Sequence, residues 1–403
     1  MLGLGSSISR SGKIGPTIIR DGLVLKHDYN AGAVEPCSTG AADINADGDS
    51  NEYIDVGPIT IGTGDVSLSA WVNVSTFVNL GGIISNRQTA STYPGLEIRT
   101  RDSSKIEIAI DDGGSNTESI SGALNTNQWY HVCAVFDRSD KQFLYIDGVL
   151  VDSDDITSEN LTLNHSDSVL IGRRDTTGYD FQGYICNVGY WNAALTQPQV
   201  KSIMNKDYAS LSASEKEDLV SWWNLDSIIA NTTQGVSYVY DNHFGGGSEL
   251  GSELSPNVNF SSNITGWSDY NSGTVSYDSD NQALKATNDG TNTWLGMTTD
   301  AVVGEANSKY LVTGRVYIPT GWSGGDIEFN EGGSFGGGGD EAFARAIEEN
   351  LDQWQDASMV FDTAADTSGK IYIRCESNPD SGDYVLIDNI SIKKINGNPG
   401  KLQ

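Results

Sequence analysis

The stretch QWYHVCAVFDRSDKQFLYIDGVLV, Gln128 to Val151, decides the fold. Tyr130, Val132, Ala134 and Phe136 alternate with His131, Cys133 and Val135, and Phe143, Tyr145 and Asp147 alternate with Leu144 and Ile146. A period of two belongs to extended strands, whose successive side chains point to opposite faces. The intervening Asp137-Arg138-Ser139-Asp140 is turn chemistry, and Asp147-Gly148 suits a tight hairpin that needs positive φ. The stretch reads as a β-meander.

Similar segments lie on both sides. VSLSAWVNV, GGIISN, GLEIRT, KIEIAIDDG, VLIGRR and YICNVGYW are each bounded by polar or glycine turns, and one short helix is expected over 196–205. DLVSWWNLD at 218–226 repeats the pattern of DGLVLKHDYN at 21–30 and reads as an extra strand of the first sandwich feeding a linker. GGGS at 245–248 marks a boundary. Beyond it, KYLVTGRVYIP, WQDASMVFDTA, KIYIRCES and YVLIDNISIKK form a second strand series. The fold class is therefore all-β, with two tandem antiparallel β-sandwich (jelly-roll) domains. The expected layout is an arm at 1–20, a sandwich at 21–210, an extra strand and Gly-rich linker at 211–250, a second sandwich at 251–396 and a tail at 397–403. The Gly-rich run 324–341 is expected to be a long loop, and EAFARAIEENLDQW, 341–354, a short helix.

Composition narrows the function. With 24 Lys+Arg against 54 Asp+Glu, the formal charge of −30 repels nucleic acid and anionic lipid. The four cysteines, Cys37, Cys133, Cys186 and Cys375, show no CxxC spacing and read as buried free thiols. No run reaches membrane-spanning length, and the start MLGLGSSISRSGKIG lacks the apolar core of a secretory signal, so standard export is not expected. Residues 1–20 carry Arg10, Lys13 and Arg20 and no acid, which suits either a partner-ordered arm or a disordered terminus.

The ordered set NADGDSNEYIDVG, VSLSAWVNV, NQWYHVCAVFD, FLYIDGVLV and VLIGRRDTTGYDFQGYICNVGYWNAALTQPQV resembles a concanavalin-A-like, laminin-G/pentraxin-type jelly roll. The second series, from LSPNVNFSSNITGWS to YVLIDNISIKK, resembles a jelly-roll carbohydrate-binding module. The whole layout resembles structural proteins of marine bacteriophages. That resemblance implies a non-enzymatic virion-surface protein, capsid decoration or fibre, assembled in host cytoplasm and extracellular after lysis. Its implied partners are other virion proteins, reached through the arm, cell-surface or dissolved glycans, and further copies of the chain. A purely structural spacer without sugar affinity is the alternative, and a polysaccharide hydrolase ranks behind both.

Glucanases of the concanavalin-A-like class use paired carboxylates. Glu107 with Asp111 and Asp112 are the nearest candidates, but the Glu-x-Asp-x-Glu arrangement is absent and these acids read as solvated strand-edge groups. No catalytic residue is expected. The pentraxin resemblance implies paired calcium ions, but the loop before Glu97 has no acid, and Arg173 and Arg174 stand beside Asp175 where oxygen ligands would be needed. In the second sandwich the resemblance implies a structural calcium on Asp388, the other reading being a strand-end hydrogen-bonding group. Sugar recognition needs aromatic faces beside planar polar groups. Trp322, Phe335, Tyr270 and Tyr179 are the carbohydrate-binding candidates, with Trp322 expected to be exposed; Trp267 and Trp294 read as core.

Overall fold

A computed structural model describes residues 35–38, 40–44, 52–87, 94–114, 116–163, 167–175, 178–230, 237–243, 250–271, 273–291, 295–331, 343–346, 350–363 and 365–402. The arm at 1–20 and the glycine run at 245–248 lie outside the described residues.

The meander forms as its alternation dictates. Trp129–Phe136 pairs antiparallel with Lys141–Ile146, Val132 facing Ile146, and Lys141–Ile146 pairs with Val149–Asp155. Asp147 (φ 50) and Gly148 (φ 72) make the hairpin turn, and the Asp147 carboxylate accepts the His131 N–H at 2.8 Å. Val66–Val74 and Gly183–Trp191 extend the sheet, and Leu219–Trp223 joins it as the extra strand, with Val188 facing Trp223. Tyr130, Val132, Ala134 and Phe136 enter the central core, while Cys133 and Val135 on the opposite face pack with Trp191, Trp222, Val200 and Ile203. Both faces of the strand are therefore buried. The helix Gln197–Ile203 closes that second layer, with Thr196 at its N-cap donating its backbone N–H to Gln199 Oε1. Cys133, Cys186 and Cys375 are buried free thiols; Cys37 is a free thiol at the surface.

Opposite lies a sheet in the order Ile228–Ala230, Ser237–Val239, Gly400–Leu402, Ile54–Asp55, Leu170–Ile171, Gly82–Ser85, Gly95–Arg101, Lys105–Asp111, Asn116–Ile120. Its third member is a surprise: the segment read as a tail returns across the chain, setting Lys401 beside Tyr238 and Asp55. Trp223 Nε1 donates to Asn398 O at 2.9 Å, and the buried Asp241 carboxylate accepts from the backbone N–H groups of Trp222 and Asn398.

In the second half, Thr274–Asp278, Ala283–Thr287, Tyr384–Ile395, Lys309–Tyr317 and Trp354–Asp362 make one sheet, with Leu250–Glu253 alongside Tyr384–Ile395. Trp267–Asp269, Gly296–Thr299, Tyr372–Cys375, Ile327–Asn330 and Phe343–Ala346 make the other. Trp267, Leu284, Val312, Phe329, Met359, Ile373 and Ile387 fill the space between. A Cβ at Gly314 would stand 2.8 Å from the Phe329 ring of the facing sheet, so a side chain there would hold the layers apart. The architecture is all-β, with antiparallel sandwiches.

Two local expectations fail. Ile327–Asn330, inside the supposed loop, is a strand, and Phe343–Ala346, inside the supposed helix, is its antiparallel partner. Glu-Ala-Phe-Ala-Arg-Ala favours helix locally, but hydrogen bonding to an open sheet edge overrides a weak propensity. Tyr238 packs with Leu311, Val360 and Ile395, so apolar contacts as well as the returning strand join the first sheet pair to the second within Glu35–Gln403.

Candidate functional site

Glu107, Asp111 and Asp112 are buried and not solvated. Leu96 and Ile98 point into the core, so Glu97, Arg99 and Glu107 share the outward face of adjacent strands, Arg99 facing Glu107 in register. They are nevertheless buried, at 0, 2 and 2% exposure, because they cover one another. Arg99 is bonded to Glu97, Glu107 and Glu118; Arg87 bonds Glu97 at 3.2 Å and Asp111 at 3.0 Å; Arg174 reaches Glu97 at 3.0 Å. Burial raises the Glu107 pKa against the pull of Arg99. Asp112 turns away to accept the N–H groups of Gly114 and Leu161. A hydrolytic pair needs one carboxyl free to donate a proton and another free to attack or activate water, and guanidinium groups occupy both Glu107 and Asp111.

The outward face of the second sandwich's five-stranded sheet is built differently. Ile373 and Cys375 enter the core, which puts Tyr372 and Arg374 outside; Ile327 and Phe329 do the same for Glu328 and Asn330 on the next strand. The register sets Arg374 opposite Glu328 and Tyr372 opposite Asn330, and on the other flank opposite Gly296 and Thr298. Gly296 adds no side chain, so the floor beside Arg374 stays low. Tyr270, 41% exposed, follows the edge strand and leans on Tyr372 with ring centroids 4.7 Å apart. Arg374 Nε donates to Glu328 at 3.3 Å. Burial, followed by Tyr270 and the carboxylate of Glu331, raises the Tyr372 pKa, so its hydroxyl remains a donor at neutral pH. Asn330, Glu331 and Glu328 are buried, at 0, 3 and 6% exposure, so the face offers outward the two tyrosine rings and the Arg374 guanidinium, which suit a ligand that is apolar on one side and polar at its edge.

Of the residues singled out from sequence, Tyr270 lies on this face. Tyr179 is 49% exposed in the first sandwich, with the Arg174 guanidinium 5.5 Å from its ring centroid. Trp322 is half-buried against the second core and donates Nε1–H to Gly325 O at 2.7 Å, which corrects its expected exposure. Trp267 is core, whereas Phe335 and Trp294 lie outside the described residues. Asp388 is buried; its Oδ2 accepts from Arg315 Nη2 at 2.6 Å and Nε at 3.1 Å, and its Oδ1 is buried with no hydrogen-bond partner among the described residues. No group of three His, Cys, Asp or Glu side chains that could hold a metal occurs among the described residues. The alternation in KIYIRCES and DIEFNEGG would have placed Tyr372, Arg374, Glu328 and Asn330 on one face had both runs been read as strands of one sheet.

Residues 47–201 match the laminin G-type family model described as the concanavalin A-like lectin/glucanases superfamily, so this part of the chain is similar to that family. No curated protein matches. Among solved structures, a carbohydrate-binding protein candidate from Bacteroides ovatus is 24% identical, with 50% of this chain and 54% of that one covered and a TM-score of 0.38. The chain thus spans about half the length of that neighbour. The heptameric SAP-like pentraxin of Limulus polyphemus is 16% identical over 39% of this chain and 77% of its own, with a TM-score of 0.34. The CBM22-1 xylan-binding domain from Paenibacillus barcinonensis is 20% identical over 38% and 99%, with a TM-score of 0.29.

Proposed function

We propose that the protein is a non-enzymatic, lectin-like surface protein that binds glycans on the outward face holding Tyr270 and Tyr372. The observation that carries this reading is the tyrosine pair at 4.7 Å beside the Arg374–Glu328 pair. Stacking on such rings contributes about 1 kcal/mol beyond area, and the planar Arg374 guanidinium selects hydroxyl geometry. The setting we propose is a virion surface, with residues 1–20 attaching the chain to other virion proteins. Three cations and no acid in that arm, on a chain of net charge −30, support an electrostatic role for it.

Affinity electrophoresis against a panel of soluble polysaccharides tests the sugar reading. Tyr372→Ala should weaken retention on a responsive polymer about tenfold, with Tyr270→Ala close behind, while Glu107→Gln leaves it unchanged and no reducing ends appear. Retention indifferent to both tyrosines would remove this face from the reading, and absence of retention on every polymer would favour the spacer. For the setting, particles assembled with a chain lacking residues 1–20 should carry none of it; normal loading refutes that placement.

A further inference from the structure

Where the returning strand closes the first sandwich against the second, it leaves a cavity of about 470 Å³, within the usual range for a small-molecule site. Its lining includes Lys309, Lys394 and Lys401 together with Asn307, Asn398 and Ser168. Three ammonium groups around one cavity are conspicuous in a chain with only 24 Lys and Arg and a charge of −30. Lys309 bonds Asp362 at 2.7 Å and Lys394 bonds Glu305 at 2.7 Å, but those acid side chains are 60 and 70% exposed, and pairs with exposed partners are weak and readily exchanged. Lys401 makes no ion pair among the described residues. Its cross-strand neighbour Asp55 directs a carboxylate oxygen to the Gly57 N–H at 2.9 Å. The side chains of Ser168 and Asn307 likewise make no hydrogen bond with described residues.

We infer that this cavity binds an anionic sugar, a pyranose carrying a carboxylate or a sulfate. The lysines meet the anion, and the unengaged hydroxyl and amide meet the ring hydroxyls. Residues 55–57 and 168 contribute one wall, 307–309 and 394–395 another, and 397–401 the third, so the ligand bridges both sandwiches. The remote acids of the chain do not forbid it, because at physiological salt their field decays over about 8 Å while contacts inside the cavity persist. This site is separate from the tyrosine face and takes a different ligand chemistry.

Calorimetric titration of the full chain with glucuronate, glucose 6-sulfate, glucose and inorganic sulfate tests the inference. At least one charged sugar should bind, about tenfold or more tighter than glucose, and weaken as salt rises. Lys401→Gln should lower that affinity at least about tenfold, whereas Lys141→Gln, on a distant strand, and Tyr372→Ala should not change it. Failure of both charged sugars to bind, or indifference to Lys401→Gln, overturns the site. Inorganic sulfate binding as tightly as the sugar sulfate overturns the sugar assignment. Loss of polysaccharide retention in Tyr372→Ala with charged-sugar binding intact would separate the two sites.

Discussion

The outward faces of the two sandwiches carry the same residue types and do opposite things with them. In the first, Glu97 has no exposed surface because Arg87, Arg99 and Arg174 all converge on it, and each guanidinium is itself consumed by a second acid. In the second, one guanidinium meets Glu328 from a side chain 32% exposed, and the remaining room is taken by two tyrosine rings, one of them 41% exposed. Charge density alone does not make a binding face. The first face buries its carboxylates under guanidinium groups, whereas the second leaves an aromatic surface exposed beside a partly exposed guanidinium, and that aromatic exposure is the difference between them.

The sharpest way to break this contrast is to remove one arginine from each face. Arg99→Met leaves the buried Glu107 without its main partner, while Glu97 keeps Arg87 and Arg174, and a buried charge deprived of its partner costs about 3–5 kcal/mol. Arg374→Met should cost less, because the Arg374 side chain is 32% exposed where that of Arg99 is 3% exposed. Urea midpoints of the two variants measure the difference directly. Equal losses would mean that the second face is as closed as the first.

A smaller effect is expected at Trp322. The ring packs on the second core from a half-buried position, so Trp322→Ala should cost about 2 kcal/mol, below the 3–5 kcal/mol of a fully buried tryptophan, and should lower the thermal midpoint of the second sandwich. Unchanged melting with lost sugar retention would restore Trp322 as an exposed platform. The flanking glycines explain why the sequence pointed the other way. A Cβ at Gly324 would fall 2.3 Å from the Trp322 ring, so glycine is what lets the indole lie flat on the backbone. Glycine-rich flanks permit close burial as readily as they permit a loop.

Other parts of the molecule differ in legibility for similar reasons. The meander, its Asp147-Gly148 turn and the capped helix after Thr196 are fixed by neighbours a few residues away, and the alternation displays them. The pairing of Gly400–Leu402 with Ile54–Asp55 joins segments more than three hundred residues apart, and a three-residue strand carries no period to betray it. The buried network escaped for a third reason. Glu107 and Asp111 look solvated in isolation, and only the sheet reveals that arginines from Gly95–Arg101, from the segment after Gly82–Ser85 and from Arg173–Asp175 converge on their face. Tyr372 carries no signal of its own in KIYIRCES; only the pairing of that strand with Ile327–Asn330 shows which half of its alternation faces outward.

The smallest expected effect concerns pH, and it separates two acids that share Arg99. Burial raises the Glu107 pKa, and the opposing attraction of Arg99 does not cancel it. At Glu118 burial also raises the pKa, but Arg99 and a hydrogen bond from Asn116 outweigh it and leave the value lowered. A raised folded-state pKa contributes stability that is present below the ordinary value of 4.5 and is lost as pH rises through the folded value. A lowered one contributes above 4.5 and is lost as pH falls through the folded value. Glu118→Gln should therefore be less stable than the parent near neutrality, with the gap closing as pH drops below 4.5. Any stability that Glu107→Gln forfeits through protonation should instead be greatest in acid and shrink as pH rises. Urea midpoints collected from about pH 3 to 7 resolve the two slopes. Parallel slopes would show that the acids titrate as one unit, and that the network is closed around Arg99 more tightly than its individual pairs imply.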